Sequence, residues 1–302
     1  MSIPFEIRNV LAATDLSESS IPALGYARLL ADRFSANVTV LYSDPIVYPI
    51  DMIGPGNGVF IAPPPEHEGK LRSELSRHVA EVMAGRPYDI VIATGRPMPS
   101  ILTNAEQRKA DLIVVGTHLR HGWRRALLGS VSEGVLHGSR SPVLTVAGHQ
   151  PVTPSIKRIL CPVNFTDVAR DSLRAASRLA EVFGADLVAV NVTEAGAAAQ
   201  AAEDEERLHN WIAPQIETKC SWRSLIIHGD PAERVLDCAE GIGADLLIIG
   251  AQHKLFRDAT VLGTTTERLI RFSSCPVLVV PRQVAAASVK ARSERDLVAA
   301  QW

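Results

Sequence analysis

The sequence has no long apolar run. Among its 302 residues, stretches such as Leu112–Val115 and Pro276–Val280 fall far short of the roughly 20 residues that a membrane-spanning helix needs. Cysteine is scarce. Cys161, Cys220, Cys238 and Cys275 all lie in the second half and none forms a C-x-x-C pair, which excludes a disulfide scaffold and suits reduced thiols in the cytoplasm. Neither sign of charge is in excess: 31 Lys and Arg against 33 Asp and Glu leave a net charge of −2, so nothing drives nonspecific nucleic-acid binding. Met1–Arg8 lacks a basic n-region and an apolar h-region, so no secretory signal is expected. A cytoplasmic chain with no membrane and no nucleic-acid partner is the resulting expectation. At 46% hydrophobic and 21% charged residues it is globular rather than disordered.

Several catalytic motifs are also missing. No G-x-G-x-x-G follows a first strand, no P-loop sequence occurs, and no G-x-S-x-G elbow is present; this disfavours a dinucleotide dehydrogenase, a P-loop NTPase and an α/β-hydrolase. The first strand lacks the acidic pair that a response regulator would carry. His118-x-x-His121 supplies too few ligands for a metal. Cys161 and Cys275 sit beside Pro at strand starts and read as structural, and Cys238 reads as a packed helix residue. No catalytic residue and no metal site are expected.

What the sequence does contain is itself twice over. Arg8–Glu18, with Asp15, aligns with Lys157–Asp167, with Asn164, at a shift of 149 residues. The same shift pairs Leu24, Ala27, Ala31, Phe34 and Ala36 with Leu173, Ala176, Ala180, Phe183 and Ala185. Further along the shift drops to 134, pairing Asp111–Gly116 with Asp245–Gly250, Gly95 and Pro97 with Gly229 and Pro231, and Gly129 with Gly263. The 15-residue difference places an insertion in the first copy, near the Pro- and Gly-rich Ile46–Pro65, which reads as a surface loop. Domains are expected at 1–148 and 156–282, joined by a polar linker at 149–155 and followed by an Ala- and charge-rich helical tail at 283–302. About 300 residues suits two domains.

Short Val/Ile/Leu-rich runs near 9–14, 37–42, 88–93, 111–116 and 142–146, and near 158–163, 186–191, 222–227, 245–250 and 276–280, read as strands buried on both faces. Helical patterns fall between them: one from Ser17 to Phe34, opened by the capping side chains of Ser17-Glu-Ser-Ser with Pro22 early enough to be tolerated, then Gly69–Met83, Pro99–Arg108 and Ser130–His137. Strand–helix alternation predicts an α/β fold, a parallel sheet with helices on both faces in each copy. Ligands of such sheets bind outside the carboxyl ends of the strands. There the first strand ends at Thr14-Asp15-Leu-Ser17, and the fourth ends at Val115-Gly116, a loop before Gly129-Ser130 opens a helix. Backbone N–H groups at a helix start suit an anion, and Asp15 suits a base amine or ribose hydroxyl, so a nucleotide lying between first and fourth strands is the reading.

These residues resemble those of the universal stress protein family in its tandem, two-domain form. Its ATP-binding type carries G-x-x-G, nine residues, then G-[S/T], with an Asp ending the first strand. Here the pattern becomes Gly116-Thr-His-Leu119, nine residues, Gly129-Ser130, and Gly250-Ala-Gln-His253, nine residues, Gly263-Thr264. The second Gly of the pattern is replaced both times, by Leu119 and His253, and Asn164 stands where the first copy has Asp15. The resemblance implies two Rossmann-like domains of the adenine nucleotide alpha hydrolase kind, each a five-stranded parallel sheet of order 3-2-1-4-5. It implies pairing of the final strands across the domains as an intramolecular pseudo-dimer, and it permits a homodimer of whole chains. It implies binding of ATP or another adenine nucleotide, with or without Mg, at Asp15, Val40 (through its backbone), Val115, Gly116, His118, Gly129, Ser130, Val131 and Ser132. A weaker second site would comprise Asn164, Ala189, Ile249, Gly250, Gln252, Gly263, Thr264, Thr265 and Thr266.

Simpler roles stay open beside these. Gly116 and Gly250 can serve only to end strands tightly, Gly129 and Gly263 only to start helices, and Asp15 and Asn164 only to cap them, a role favoured for Asn164. Arg120, Arg124 and Arg125 can gather phosphate oxygens or form a solvated loop. An interaction scaffold with degenerate pockets, and a slow ATPase, are the alternative functions.

Overall fold

The computed structural model describes residues 5–45, 65–117, 128–193, 201–217, 219–251, 254–256, 259–261 and 263–282. The insertion at 46–64, the basic segment 118–125 with His118 and Leu119, the pair Gln252-His253 and the tail 283–302 lie outside them.

The first half runs β1 (Asn9–Thr14), α1 (Ile21–Phe34), β2 (Asn37–Asp44), α2 (Pro65–Met83), β3 (Asp89–Thr94), α3 (Pro97–Gln107), β4 (Leu112–Thr117), α4 (Ser130–Gly138) and β5 (Val143–Ala147). The second runs β6 (Arg158–Pro162), α5 (Asp167–Phe183), β7 (Asp186–Thr193), α6 (Ala201–Ile212), β8 (Trp222–His228), α7 (Pro231–Ile242), β9 (Leu246–Ala251), β10 (Lys254–Phe256), β11 (Ala259–Val261), α8 (Thr264–Phe272) and β12 (Val277–Pro281). The hairpin β10–β11 is antiparallel and lies within the nine-residue spacer of the second copy; the sequence pattern did not suggest it. Its strands are only three residues each, too short for periodicity to register.

The ten long strands form one sheet in the order β3-β2-β1-β4-β5-β12-β9-β6-β7-β8, so each half reads 3-2-1-4-5. Every neighbouring pair is parallel except β5 and β12, which meet antiparallel with Leu144 opposite Leu278. Thr145 adds a side-chain bond across this seam, its hydroxyl donating to the Val277 carbonyl at 3.2 Å. Two like apolar edges related by an approximate twofold perpendicular to the sheet meet antiparallel, and the pairing removes both from solvent.

Alternation along the strands splits the core into two layers. Val10, Ala12, Val38 and Val40 face the layer packed by Leu24 and Ala27 of α1, Leu75 of α2 and Leu173 of α5. Leu11, Leu41, Ile113 and Val115 face the other, packed by Ile101 of α3, Val135 of α4 and Val235 of α7. The halves repeat even their polar fastenings. Asp111 accepts from the backbone N–H of Arg8 and Asn9, both at 2.9 Å, and Asp245 does the same for Lys157 and Arg158 at 2.7 and 2.9 Å.

Helix starts differ from the sequence reading. The run Ser17–Ser20 does not cap α1: a short 3₁₀ turn occupies Glu18–Ser20, and neither Ser17 nor Ser20 makes a side-chain cap bond. In the second half Thr166 is the cap, accepting from Ala169 N–H at 3.2 Å, and the helix begins at Asp167 without a 3₁₀ turn. Asn164, read as the cap, instead accepts the Thr166 hydroxyl at 2.7 Å. Helices α2 and α3 begin at Pro65 and Pro97, earlier than the apolar periodicity indicated. Proline is favoured in a first turn, where its missing N–H costs nothing.

Candidate functional site

A cavity of about 360 Å³ opens at the carboxyl ends of β1, β2 and β4. Its apolar wall is Ala13, Leu41, Ile101 and Val115; its polar rim includes Asp15, Ser43, Ser130 and Ser132. Of the first-copy residues expected there, Asp15, Val115, Gly116, Gly129, Ser130, Val131 and Ser132 all line it. Val40 does not. It pairs with Ala12 one level below the mouth with its side chain buried in the α1 layer, an orientation that bears on the side chain and not on the backbone contact expected of it. Leu41, Tyr42 and Ser43 line the cavity from β2 instead. Asp15 lies beyond the end of β1, so the residues beside it on β2 lie further along than Val40. Thr14, Ser20, Pro97 and Ile101 were also missed.

The two glycines at this mouth are unlike ordinary structural glycines. Neither has a positive φ. A Cβ placed on Gly116 would meet nothing closer than Ser20 Cα at 3.5 Å, and one on Gly129 would meet nothing within 4 Å. Packing and backbone conformation therefore place no demand for glycine at either position. Gly129 is the N-cap residue of α4 and brings no side chain to cap it. The first-turn N–H groups of that helix face the cavity without a capping oxygen, beside the positive end of the helix dipole.

The hydroxyls around the cavity are mostly spoken for. Ser132, 4% exposed, donates to the Gly116 carbonyl at 2.8 Å and so fastens α4 to the end of β4. Asp15 accepts from the backbone N–H and the hydroxyl of Ser17 at 3.0 and 2.5 Å, an Asx turn. Its carboxylate stays exposed. Leu16 then takes φ of 64° and Phe165, its counterpart, 58°, so both copies hold a left-handed non-glycine residue here despite a cost of roughly 1–2 kcal/mol.

The second half is built differently at the equivalent place. A Cβ on Gly250 would fall 2.6 Å from both Cγ1 and the carbonyl oxygen of Val168. Close packing of α5 on β9 is sufficient to explain this glycine. Ala189, like Val40, is fully buried in the opposite layer. Ile249 is core. Asn164, Gly263, Thr264 and Thr265 are exposed and Thr266 is half-buried, while Gln252 falls outside the described residues. Arg268 of α8 reaches across to the N-terminus of α7, bonding Asp230 at 2.9 and 3.0 Å. The Asp230 carboxyl is held below the usual carboxylate range by the Glu233 backbone N–H it caps and by Arg268.

Among the described residues no cluster of three or more His, Cys, Asp or Glu side chains suits a metal ion. Burial pushes the Cys161 thiol up to about 12 and raises Cys275 and Cys238 as well, which suits packed rather than reactive sulfur.

The chain matches the universal stress protein family over residues 6–147 and again over 155–281. It belongs to that family. A universal stress protein of Methanocaldococcus jannaschii is 31% identical over 139 residues, covering 46% of this chain and 81% of its own. One from Mycolicibacterium smegmatis is 24% identical over 294 residues, covering 90% of this chain and 96% of its own. Among solved structures, a universal stress protein from Archaeoglobus fulgidus superposes with a TM-score of 0.70 at 23% identity, over 91% of this chain and 98% of that one. That likeness shares the tandem α/β fold. No helix among the described residues is long and apolar enough to cross a membrane.

Proposed function

We propose that this universal stress protein binds an adenine nucleotide in its first half, between β1 and β4, and acts in the cytoplasm through nucleotide-dependent association rather than through catalysis. One observation carries the reading. Gly116 and Gly129 line a cavity of about 360 Å³ where neither packing nor φ requires glycine, which suits close approach of a ligand to the bare backbone there. The remaining parts suit a nucleotide. The apolar wall of Leu41, Ile101 and Val115 takes a base, the Asp15 carboxylate takes hydroxyl or amine donors, and the uncapped first turn of α4 takes phosphate oxygens. The proposed contacts are therefore Asp15, Leu41–Ser43, Val115, Gly116 and Gly129–Ser132, with His118 following from the family pattern. Mg would enter with the phosphates.

The second half reads differently. The contact of Gly250 with Val168 favours a packing and docking role there. We take 1–148 and 156–282 as the two domains and the β5–β12 seam as a built-in pseudo-dimer, on which a homodimer of whole chains can be assembled. Titration calorimetry with ATP and AMP tests the proposal. Submillimolar binding that Gly129→Trp removes supports it; absence of heat and of any thermal shift in the wild type rejects it in favour of a scaffold. Turnover above that of a Ser130→Ala control would replace it with an ATPase.

A further inference from the structure

The cavity wall at the end of β1 contains a chain of hydroxyl groups that the second half lacks. Leu16 N–H donates to Thr14 Oγ1 at 3.1 Å, and Thr14 Oγ1 lies 2.7 Å from Ser20 Oγ. The Ser20 hydroxyl in turn reaches the Ser17 carbonyl at 2.7 Å. Proton bookkeeping fixes the directions. Ser20 has one proton and gives it to Ser17, so the Thr14 hydroxyl must donate to Ser20 Oγ. A further group then approaches the same oxygen: His78 Nε2, from α2, at 3.4 Å. With the Ser20 proton already committed, His78 can meet Ser20 only as an N–H donor. Ser20 is 3% exposed and Thr14 8% exposed, so neither oxygen is easily served by water instead. In the second copy the matching residues of Thr14, Ser19 and Ser20 are Val163, Val168 and Ala169, and the chain of hydroxyls cannot form.

We propose that His78 is a positioning residue of the first-half cavity: through its N–H bond to Ser20 it anchors the Thr14–Ser17 turn that presents Asp15, and its protonation tunes how strongly the cavity holds an anionic ligand. This rests on the nucleotide reading above. The imidazole keeps Nε2–H in both its neutral and its charged form, so the anchor survives protonation and only the local charge changes. Burial lowers the His78 pKa, opposed by the carboxylates of Asp15 from the end of β1 and Glu74 on its own helix. Tyr42 from β2 stands in the same electrostatic neighbourhood, its phenol raised by burial and by Asp44, Glu74 and Asp15. From the α1 side the group that faces His78 is Ser20, which is uncharged. A phosphate placed at the mouth favours the imidazolium, so binding takes up a proton and affinity rises as pH falls through the His78 titration.

The test compares wild type, His78→Gln and His78→Leu in the full chain, with ATP as the probe and calorimetry between pH 5.5 and 8. Gln keeps an N–H donor and cannot be protonated; Leu keeps neither. His67 pairs with Asp44 at 2.8 Å and is intact in all three, so the reading is the difference between proteins. The wild type is expected to bind about fivefold tighter at the acid end than His78→Gln does, with the two equal at pH 8, a fraction of the tenfold that one full pKa unit would give. His78→Leu is expected to be weaker at every pH. A second readout needs no nucleotide: Ser20→Ala should move the ¹⁵N shift and titration midpoint of the His78 ring. A normal affinity with an unaltered pH slope in His78→Gln, or an unmoved His78 ring in Ser20→Ala, overturns this role alone. No ATP binding by the wild type at any pH overturns the nucleotide reading and this role with it.

Discussion

The two halves place the same elements in the same order around one sheet, yet they treat the mouth between first and fourth strands in opposite ways. In the first, a 3₁₀ turn at Glu18–Ser20 sets α1 back from β4, and Gly116 stands 3.5 Å or more from what a Cβ would touch. In the second, Thr166 caps α5 directly, the helix starts at Asp167, and Val168 closes on Gly250 within 2.6 Å of the same imagined atom. One glycine keeps space open and its copy lets two elements touch. A duplicated motif therefore does not report a duplicated site, because repetition preserves the residue while the helix entry beside it decides what the residue does.

The sharpest way to break this contrast is at the helix starts. Gly129→Trp should reduce ATP affinity more than about a hundredfold by filling the cavity, roughly 2.7 kcal/mol, while Gly263→Trp in the second half should leave the isotherm unchanged; equal losses from both would mean that both halves bind. Next in size is a stability test. Gly250→Ala should cost about 1–3 kcal/mol through overpacking against Val168, and Gly116→Ala should stay within about 0.5 kcal/mol, both read from urea unfolding midpoints. Should Gly116→Ala prove the worse, the first mouth is not open in the way described.

A smaller contrast lies at the far ends of the paired helices. Gly184 ends α5 with φ of 64°, and Ser35 ends α1 with φ of 54°. Gly184→Ala should destabilise by about 1 kcal/mol, whereas Ser35→Gly should gain a few tenths, since glycine relieves the strain and gives back part of it as unfolded-state freedom. The smallest effect belongs to the ion pairs of Arg178, one reaching Glu6 of the first half and one Glu181 on its own helix. Arg178 bonds Glu6 at 2.8 Å and Glu181 at 2.7 Å. The Arg178 bond, above all, holds the Glu181 carboxyl below its ordinary value. The folded form thus binds its proton less readily than the unfolded form. That share of stability is complete above the ordinary carboxylate range and vanishes as pH falls through the lowered folded value. With these groups about a third exposed, Glu181→Gln should cost about 0.5 kcal/mol or less at pH 7 and progressively less as pH falls below the ordinary carboxylate range, measured from urea midpoints across that pH series.

Much of the cavity was legible from residue spacing. Asp15, Val115, Gly116 and Gly129–Ser132 line it, and strand ends with a glycine-started helix mark such a crevice in any parallel sheet. On β2 the residues that line the cavity are Leu41, Tyr42 and Ser43, while the side chain of Val40, expected to contribute only its backbone, turns into the opposite layer. The Thr14–Ser20–His78 chain was illegible because its members lie 58 residues apart between Ser20 and His78 and no local pattern links them. The expected caps at Ser17 and Asn164 failed for a related reason: a run of hydroxyl residues offers several competing local bonds, and packing chose among them.

By itself the sequence determined the duplication, the α/β alternation and the strand ends, because each depends on hydrophobic period and on turn residues that act within a few positions. Only the tertiary structure decided that Gly116 borders an open cavity while Gly250 lies against Val168, and that Leu41 lines that cavity while the side chain of Val40 packs in the opposite layer. Those outcomes depend on ångström-scale distances between elements far apart in the chain, and such distances are set by how whole helices seat on the sheet.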